Sequence, residues 1–349
     1  MTQSPAPVRL ALVGAGVFVG KAHLPALLAL APLFEIVAIF SPSGRSAQEL
    51  ADLLPNPPAV MTDLDALLAR PDLDAVDVVL PIGVMPGVVE AALAAGKHLI
   101  SEKPVGPDLA AAQALLGVYA SSRRRFPGQV WMVGENWRYE PAFIQAAALV
   151  QDGAIGRPIT FHWAHAQAMS VDNPYYQTPW RRDGSVPGGF VLDAGVHHMA
   201  ALRLILGEVA QVQAQTASVR PDLPPVDTVT ANLVMQSGVI GTYAATYALS
   251  RPPTPPGDAP LNIIGNLGVL RVHRTLIEIE KDGEIERFPI QGHRGVELEL
   301  AAFGRTIQSG AEHHNSPQSA AQDLAVIEAM LRSAGEGRRI PVAQIGDDQ

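Results

Sequence analysis

Over the first third of the chain, short apolar runs alternate with amphipathic stretches. Val8 to Val13 is almost wholly apolar and stops at Gly14, the pattern of a strand buried on both faces of a parallel sheet. Glu35 to Phe40, Asp77 to Ile82, His98 to Glu102 and Val130 to Glu135 read the same way, and Ala59 with Val60 marks a shorter strand. Between them the spacing predicts helices at Phe18 to Leu30, Ala47 to Leu54, Pro86 to Ala95 and Leu109 to Ser121. Pro86 near the start and Gly96 just past the end follow the proline-first, glycine-last asymmetry of helices. Thr62 with Asp65 three residues on predicts a capping box for a helix reaching Ala69. Regular alternation of strand and helix implies a doubly wound parallel sheet.

The pattern changes after about Gly128, which sets the expected boundary between a domain at 1–128 and a second at 129–349. A helix is predicted from Ala142 to Gln151, a strand from Pro158 to Ala166, a long loop to Gly189 and a helix from Val191 to Leu206 stopped by Gly207. Strands then follow in series: Gln211 to Val219, Thr228 to Gln236, Val239 to Leu249, Leu261 to Ile264, Val269 to His273, Leu276 to Glu280 and Ile285 to Ile290. Asp282-Gly283 between the last two is a strong hairpin turn. The proline-rich stretch Pro252 to Pro260 reads as a surface loop. Ser316-Pro317 opens a last helix to about Ala334. The second half is thus expected to be a large, mainly antiparallel open sheet with helices on one face. Val229, Ala231, Leu233 and Met235 alternate with Thr228, Thr230 and Asn232, so the other face suits water or a partner subunit.

Composition narrows the classes. The chain's 349 residues suffice for two ordinary domains or one large one, and with 48% hydrophobic and 17% charged residues a substantial core is expected and disorder is not. A formal charge of −9 argues against nucleic acid or an anionic membrane as partner. There is no cysteine, so disulfides, thiolate nucleophiles and thiolate metal sites are excluded. The start MTQSPAPVRLAL lacks the form of a signal peptide, and no apolar run approaches the ~18 residues of a membrane span. A cytoplasmic protein is expected. His162 and His165 lack the carboxylate and histidine partners of a metal site, so no metal is expected.

Two places carry candidate chemistry. Gly14-Ala15-Gly16, followed by Val17 and Phe18, lies directly between a strand and a helix, where glycines permit a tight turn and let a pyrophosphate approach the backbone. The third glycine of the dinucleotide fingerprint is replaced by Val19. After the second strand, an NAD site usually places a carboxylate for the ribose 2′-hydroxyl. The segment here is FSPSGRS, with Ser41, Ser43 and Arg45 as donors and no carboxylate, which favours NADP(H) over NAD(H). Pro81, Glu102 and Lys103 end strands at the edge where an open parallel sheet binds its ligand. In the second half, Asp193 and His197 are four residues apart on a predicted helix and share a face, so the carboxylate can orient the ring. Asn136 and Arg138, and Tyr176, Trp180 and Arg181 in the loop before that helix, are candidate walls of a substrate pocket. His23 and His98 are expected to have local structural roles.

These strings together resemble the glucose–fructose oxidoreductase / inositol dehydrogenase (Gfo/Idh/MocA) family over nearly the whole chain. The resemblance rests on GAGVF from Gly14, HLPAL from His23, AGKHLISEKP from Ala95, ENWRYEPAF from Glu135 and GGFVLDAGVHH from Gly188. It implies a Rossmann domain followed by an α/β domain whose open sheet joins subunits into a dimer or tetramer. It also implies Lys103, Asp193 and His197 as catalytic residues of hydride transfer between NADP(H) and a sugar, polyol derivative or small aldehyde or ketone. Two alternatives stay open: a non-catalytic NADP(H)-binding regulator, and a redox-neutral sugar-processing enzyme with a tightly held cofactor.

Overall fold

The computed structural model describes residues 5–252 and 259–346, so most of the proline-rich loop at 252–260 lies outside the described residues. Two compact units are present. Of the described residues, the first comprises 5–135, 296–321 and 346, and the second 136–295 and 322–345.

The first unit is built on six strands: β1 (Val8–Val13), β2 (Phe34–Phe40), β3 (Ala59–Met61), β4 (Ala75–Val78), β5 (His98–Glu102) and β6 (Trp131–Gly134). They pair in parallel in the order β3-β2-β1-β4-β5-β6. Central β1 has Leu10, Ala11, Leu12 and Val13 fully buried, as the apolar run after Arg9 requires. The connections are helical: a π-helical turn Val19–His23 running into α1 (Leu24–Ala29), then α2 (Arg45–Ala51), α3 (Leu64–Leu68), α4 (Met85–Ala94) and α5 (Leu109–Arg125).

Details differ from the sequence-based expectation. α3 is capped by Asp63, whose carboxylate accepts from Ala66 N at 2.9 Å, rather than by Thr62. β4 starts two residues earlier than predicted and stops at Val78, because Pro81 and its neighbours turn into α4, with Pro81 O accepting from Val84 N and Met85 N. The boundary lies at Glu135 rather than Gly128. A helix that no periodicity announced, α8 (Gly295–Ser309), lies almost entirely in the first unit, where Phe303 stacks on Phe34 at 6.3 Å.

The second unit holds α6 (Pro141–Gln151), β7 (Pro158–Ala168), α7 (Gly189–Leu206), β8 (Val209–Ala217), β9 (Thr228–Met235), β10 (Ile240–Leu249), β11 (Leu261–Gly265), β12 (Val269–Val272), β13 (Leu276–Lys281), β14 (Glu284–Pro289) and β15 (Ile340–Pro341). Helix α9 (Pro317–Glu336) is counted with this unit from Gln322 onward. The nine strands form one sheet in the order β14-β13-β12-β11-β7-β10-β9-β8-β15, with only β7 and β10 parallel. Asp282 and Gly283 both have positive φ, 54° and 83°, the geometry of a two-residue hairpin turn. On β9, Val229, Ala231, Leu233 and Met235 are buried while Thr230 and Asn232 are exposed, so one face is covered within the unit. α7 is long and apolar enough to cross a membrane, with 18 residues at mean hydropathy 1.3. It is nevertheless 78% buried and serves as the core helix of this unit.

Candidate active site

The glycine loop follows from the packing of β1. Gly14 has φ +112°, and a Cβ there would lie 2.2 Å from the carbonyl oxygen of Val79, so no other residue fits. Its N–H donates to Phe40 O at 3.0 Å, which ties the loop to β2. Gly16, by contrast, has open space where a Cβ would stand, and Gly16 and Val17 are exposed. A backbone free of side chain and open to solvent at the head of a helical segment is the cradle a pyrophosphate needs, so these residues fit a dinucleotide.

The loop after β2 departs from expectation in one residue. Ser41 is buried, and its Oγ accepts from Ala47 N in the first turn of α2 at 3.3 Å. Ser43 and Arg45 are exposed, and Arg45 Nε donates to Glu49 Oε1 at 3.0 Å across one helical turn. Pro81 is exposed beyond the end of β4. Lys103, half-buried, follows the last residue of β5, and its peptide bond to Pro104 is cis. Glu102, expected among the cofactor contacts, instead turns inward. Its Oε1 lies 3.0 Å from His23 Nε2 and its Oε2 accepts from Lys103 N at 3.3 Å. The other ring nitrogen of His23, Nδ1, lies 2.7 Å from Asp77 Oδ2. Behind the strand ends there is thus a buried polar centre of His23, Asp77, Glu102, Glu135 and Glu299, joined by Asn315, which donates to Glu299 Oε2 at 3.0 Å.

In the second unit, the 3.6-residue repeat of α7 places Asp193 and His197 on one face, as predicted. Asp193 is buried and its Oδ2 accepts from Arg181 Nε at 2.7 Å. Arg181 thus holds one oxygen of the carboxylate that α7 places on the same face as His197. Arg181 is itself held, its guanidinium 3.9 Å from the Trp180 ring centroid and donating to Thr178 Oγ1 at 3.0 Å. His197 is half-buried and stacks on Trp137 at 5.4 Å and 15°. Trp137 also stacks on Phe143 at 5.1 Å and carries the Arg274 guanidinium 5.2 Å from its ring centroid. Adjacent His198 points into the core. It shares a 2.7 Å hydrogen bond with the Tyr243 hydroxyl and packs against His165 at 4.7 Å. Burial pushes its pKa well below the ordinary value, and His165, His197 and Arg274 push it further down. His198 is therefore a neutral structural group.

Two residues expected to touch substrate are committed elsewhere. Arg138 is buried and ion-paired with Asp323, which also takes Arg203. The Tyr176 hydroxyl donates to Asp222 Oδ2 at 2.8 Å, and its ring lies under Arg182 and Arg220, so it anchors the loop. The hydrogen bond from Arg220 draws the Asp222 carboxyl down to about 2, in spite of some burial. Asn136 is half-buried at the start of the 3₁₀ turn Asn136–Tyr139. Trp137 and Arg274 escaped sequence reasoning. Trp137 sits inside the string ENWRYEPAF and could have been raised there, whereas Arg274 offers no local signal.

A glycine-led strand–turn–helix in a parallel sheet, with a paired aspartate and an accessible histidine on one helix of a second α/β unit, defines a dinucleotide-linked oxidoreductase. Comparison with known proteins agrees. Residues 8–126 match the family described as "Oxidoreductase family, NAD-binding Rossmann fold" and residues 143–271 the "GFO/IDH/MocA C-terminal domain". The chain belongs to the Gfo/Idh/MocA oxidoreductase family. It is 33% identical over 345 residues to dehydrogenase FPY6 of Fusarium mangiferae, covering 94% of this chain and 96% of that protein. It is 28% identical to inositol 2-dehydrogenase of Rhizobium meliloti, covering 96% and 99%. The crystal structure of an oxidoreductase from Thermotoga maritima superposes with a TM-score of 0.87 at 33% identity, covering 96% of this chain and 98% of that one.

Proposed function

We propose that the protein is an NADP(H)-linked dehydrogenase acting on a hydroxyl or carbonyl carbon of a sugar, polyol derivative or small aldehyde or ketone. The observation that carries this reading is α7, which presents a partly exposed His197 on the same face as the Asp193–Arg181 pair while His198 is locked neutral beside it. The substrate class is supported by the inositol 2-dehydrogenase relative.

When bound, the nicotinamide supplies or accepts the hydride. The chain's own groups manage the proton and the oxygen. In the oxidative direction His197 accepts the hydroxyl proton, and the Lys103 ammonium hydrogen-bonds the oxygen as negative charge develops on it. In the reductive direction His197 returns that proton. Trp137 fixes the plane of the His197 ring by stacking, and Arg181 fixes Asp193. Lys103→Ala or His197→Ala should lower turnover by ~10²-fold or more and leave cofactor dissociation constants largely intact. Unchanged turnover of a confirmed substrate in both variants would sink this assignment.

The choice of NADP(H) rests on exposed Ser43 and Arg45 and on the absence of a carboxylate from 41–46. Arg45 must exchange Glu49 for the 2′-phosphate, an easy exchange because both side chains are solvated. One good charge-assisted contact corresponds to about a tenfold preference for NADPH over NADH. Arg45→Ala should remove most of that preference by weakening NADPH alone. Equal affinities of the parent protein for the two cofactors at one salt concentration would refute it.

A further inference from the structure

The polar centre behind β5 has a direct line to Lys103. Asp77 Oδ2 lies 2.7 Å from His23 Nδ1, His23 Nε2 lies 3.0 Å from Glu102 Oε1, and Glu102 Oε2 accepts from the Lys103 backbone N–H at 3.3 Å. His23 is 1% exposed, Asp77 not at all, and Glu102 only 8%. We propose that His23 is a positioning residue for the reaction: clamped between Asp77 and Glu102, it fixes the Glu102 carboxylate and through it the backbone from which Lys103 projects. This rests on Lys103 being the group that holds the substrate oxygen.

Three arguments support the assignment. First, both ring nitrogens of His23 lie within hydrogen-bond distance of carboxyl oxygens, and ionised carboxylates only accept, so with both ionised each nitrogen donates and the ring is an imidazolium. Second, the surrounding charge matches. The titratable groups of the centre are Asp77 from β4, Glu102 from β5, Glu135 after β6 and Glu299 from α8, and the ring also meets Phe18 edge-on at 5.1 Å. Burial raises Glu299 well above the ordinary carboxyl range, helped by Glu102, Glu135 and Asp77, so it holds a proton. Burial alone would lower His23, but Asp77 and Glu102 outweigh it and raise it well above an ordinary histidine. Third, packing alone does not call for such a group. A buried ion cluster is often no more stable than apolar side chains of similar volume. What it supplies is a fixed geometry, and a flexible lysine needs a fixed backbone if its ammonium is to be placed within about half an ångström.

The test combines kinetics with spectroscopy. His23→Gln removes the charge and one of the two links. It should lower kcat by about tenfold or more while changing the KM of substrate and cofactor by less than about threefold. The alkaline limb of the kcat profile that arises from loss of the imidazolium proton should be missing in this variant. In a Lys103→Ala background the same change should cost less than about twofold, because a residue that acts through Lys103 has nothing left to position. Equal losses in both backgrounds would overturn the proposal and mark His23 as merely structural, as would unchanged kcat in His23→Gln. A Lys103→Ala enzyme of full activity would instead overturn the role of Lys103 itself, a different outcome. Should His23→Gln fail to fold, Glu102→Gln breaks the same line from the other side and is expected to show the same dependence on Lys103. Nitrogen-15 spectra of the histidine-labelled, cofactor-free parent provide a readout independent of turnover. Two protonated ring nitrogens at His23 near pH 7.5 are expected, and a neutral tautomer there would overturn the proposal.

Discussion

His23 and His198 are equally buried, each 1% exposed, and yet end in opposite charge states. Removal from water disfavours the cation in both. In the first unit Asp77 and Glu102 reverse that penalty and hold the ring charged. In the second, the neighbours are His165, His197, Arg274, two tryptophans and the Tyr243 hydroxyl, none of which is an anion. Depth therefore says that a histidine must be satisfied, and the company it keeps says how. The neutral ring puts no fixed charge beside its sequence neighbour His197, whereas the charged ring organises carboxylates that would otherwise repel one another.

The comparison breaks most readily at Asp77. Asp77→Ala strips one of the two carboxylates from a buried cation and should destabilise the protein by about 3–5 kcal/mol in urea unfolding. A loss below about 1 kcal/mol would mean that the ring is not a cation. On the other side, Tyr243→Phe deprives a buried neutral imidazole of its hydrogen bond and should cost about 1–3 kcal/mol. No loss would show that the hydroxyl is not the partner on which His198 depends.

The smallest effect is a pH dependence of opposite sign at the two centres. His198 titrates lower folded than unfolded, so its contribution is complete above the ordinary value of 6.5 and is lost as the pH falls below it. His23 titrates higher folded than unfolded, so its contribution is complete below 6.5 and is lost as the pH rises through its folded value. Glu299 adds to the alkaline loss, because it favours the neutral form when folded and costs stability as the pH rises above its ordinary 4.5. Glu299→Gln mimics the protonated side chain. It should leave stability unchanged near pH 4 and raise it progressively on the alkaline side. A variant with the parent's pH dependence would show that Glu299 is ionised in the fold.

The parallel sheet and the two faces of β9 were readable because burial on both sides or on one writes itself as an apolar run or as strict alternation. Asp193 and His197 were readable for a similar reason, being one helical turn apart. Contacts between distant positions were not. His23 lies 54 residues from Asp77 and 79 from Glu102, so nothing local to any of them announced the centre they make. Arg181 was suspected of touching a ligand, but its bond to Asp193 depends on how the loop 169–188 folds back. For Ser41 the sequence does not show its burial or its bond from Ala47 N, because a serine after a strand serves equally well in a helix turn or as a ligand donor. Helix α8 was missed because Val296-Glu297-Leu298-Glu299-Leu300 alternates like a strand, whereas burial of Glu299 and Phe303, four residues apart, defines its helical face.

The late return of residues 296–321 to the first unit bears on how the protein is made. α8 supplies Glu299 to the polar centre and Phe303 to the Phe34 stack, and Asn315 O accepts from Val133 N at 3.0 Å at β6. A ribosome that has released only the first 135 residues has released a sheet with that side of its core uncovered. Domains usually close in the order in which they are synthesised, but this one waits until more than four-fifths of the chain has been translated. The nascent protein thus carries an unfinished amino-terminal unit through most of its synthesis, with Phe34 lacking its Phe303 partner until α8 emerges.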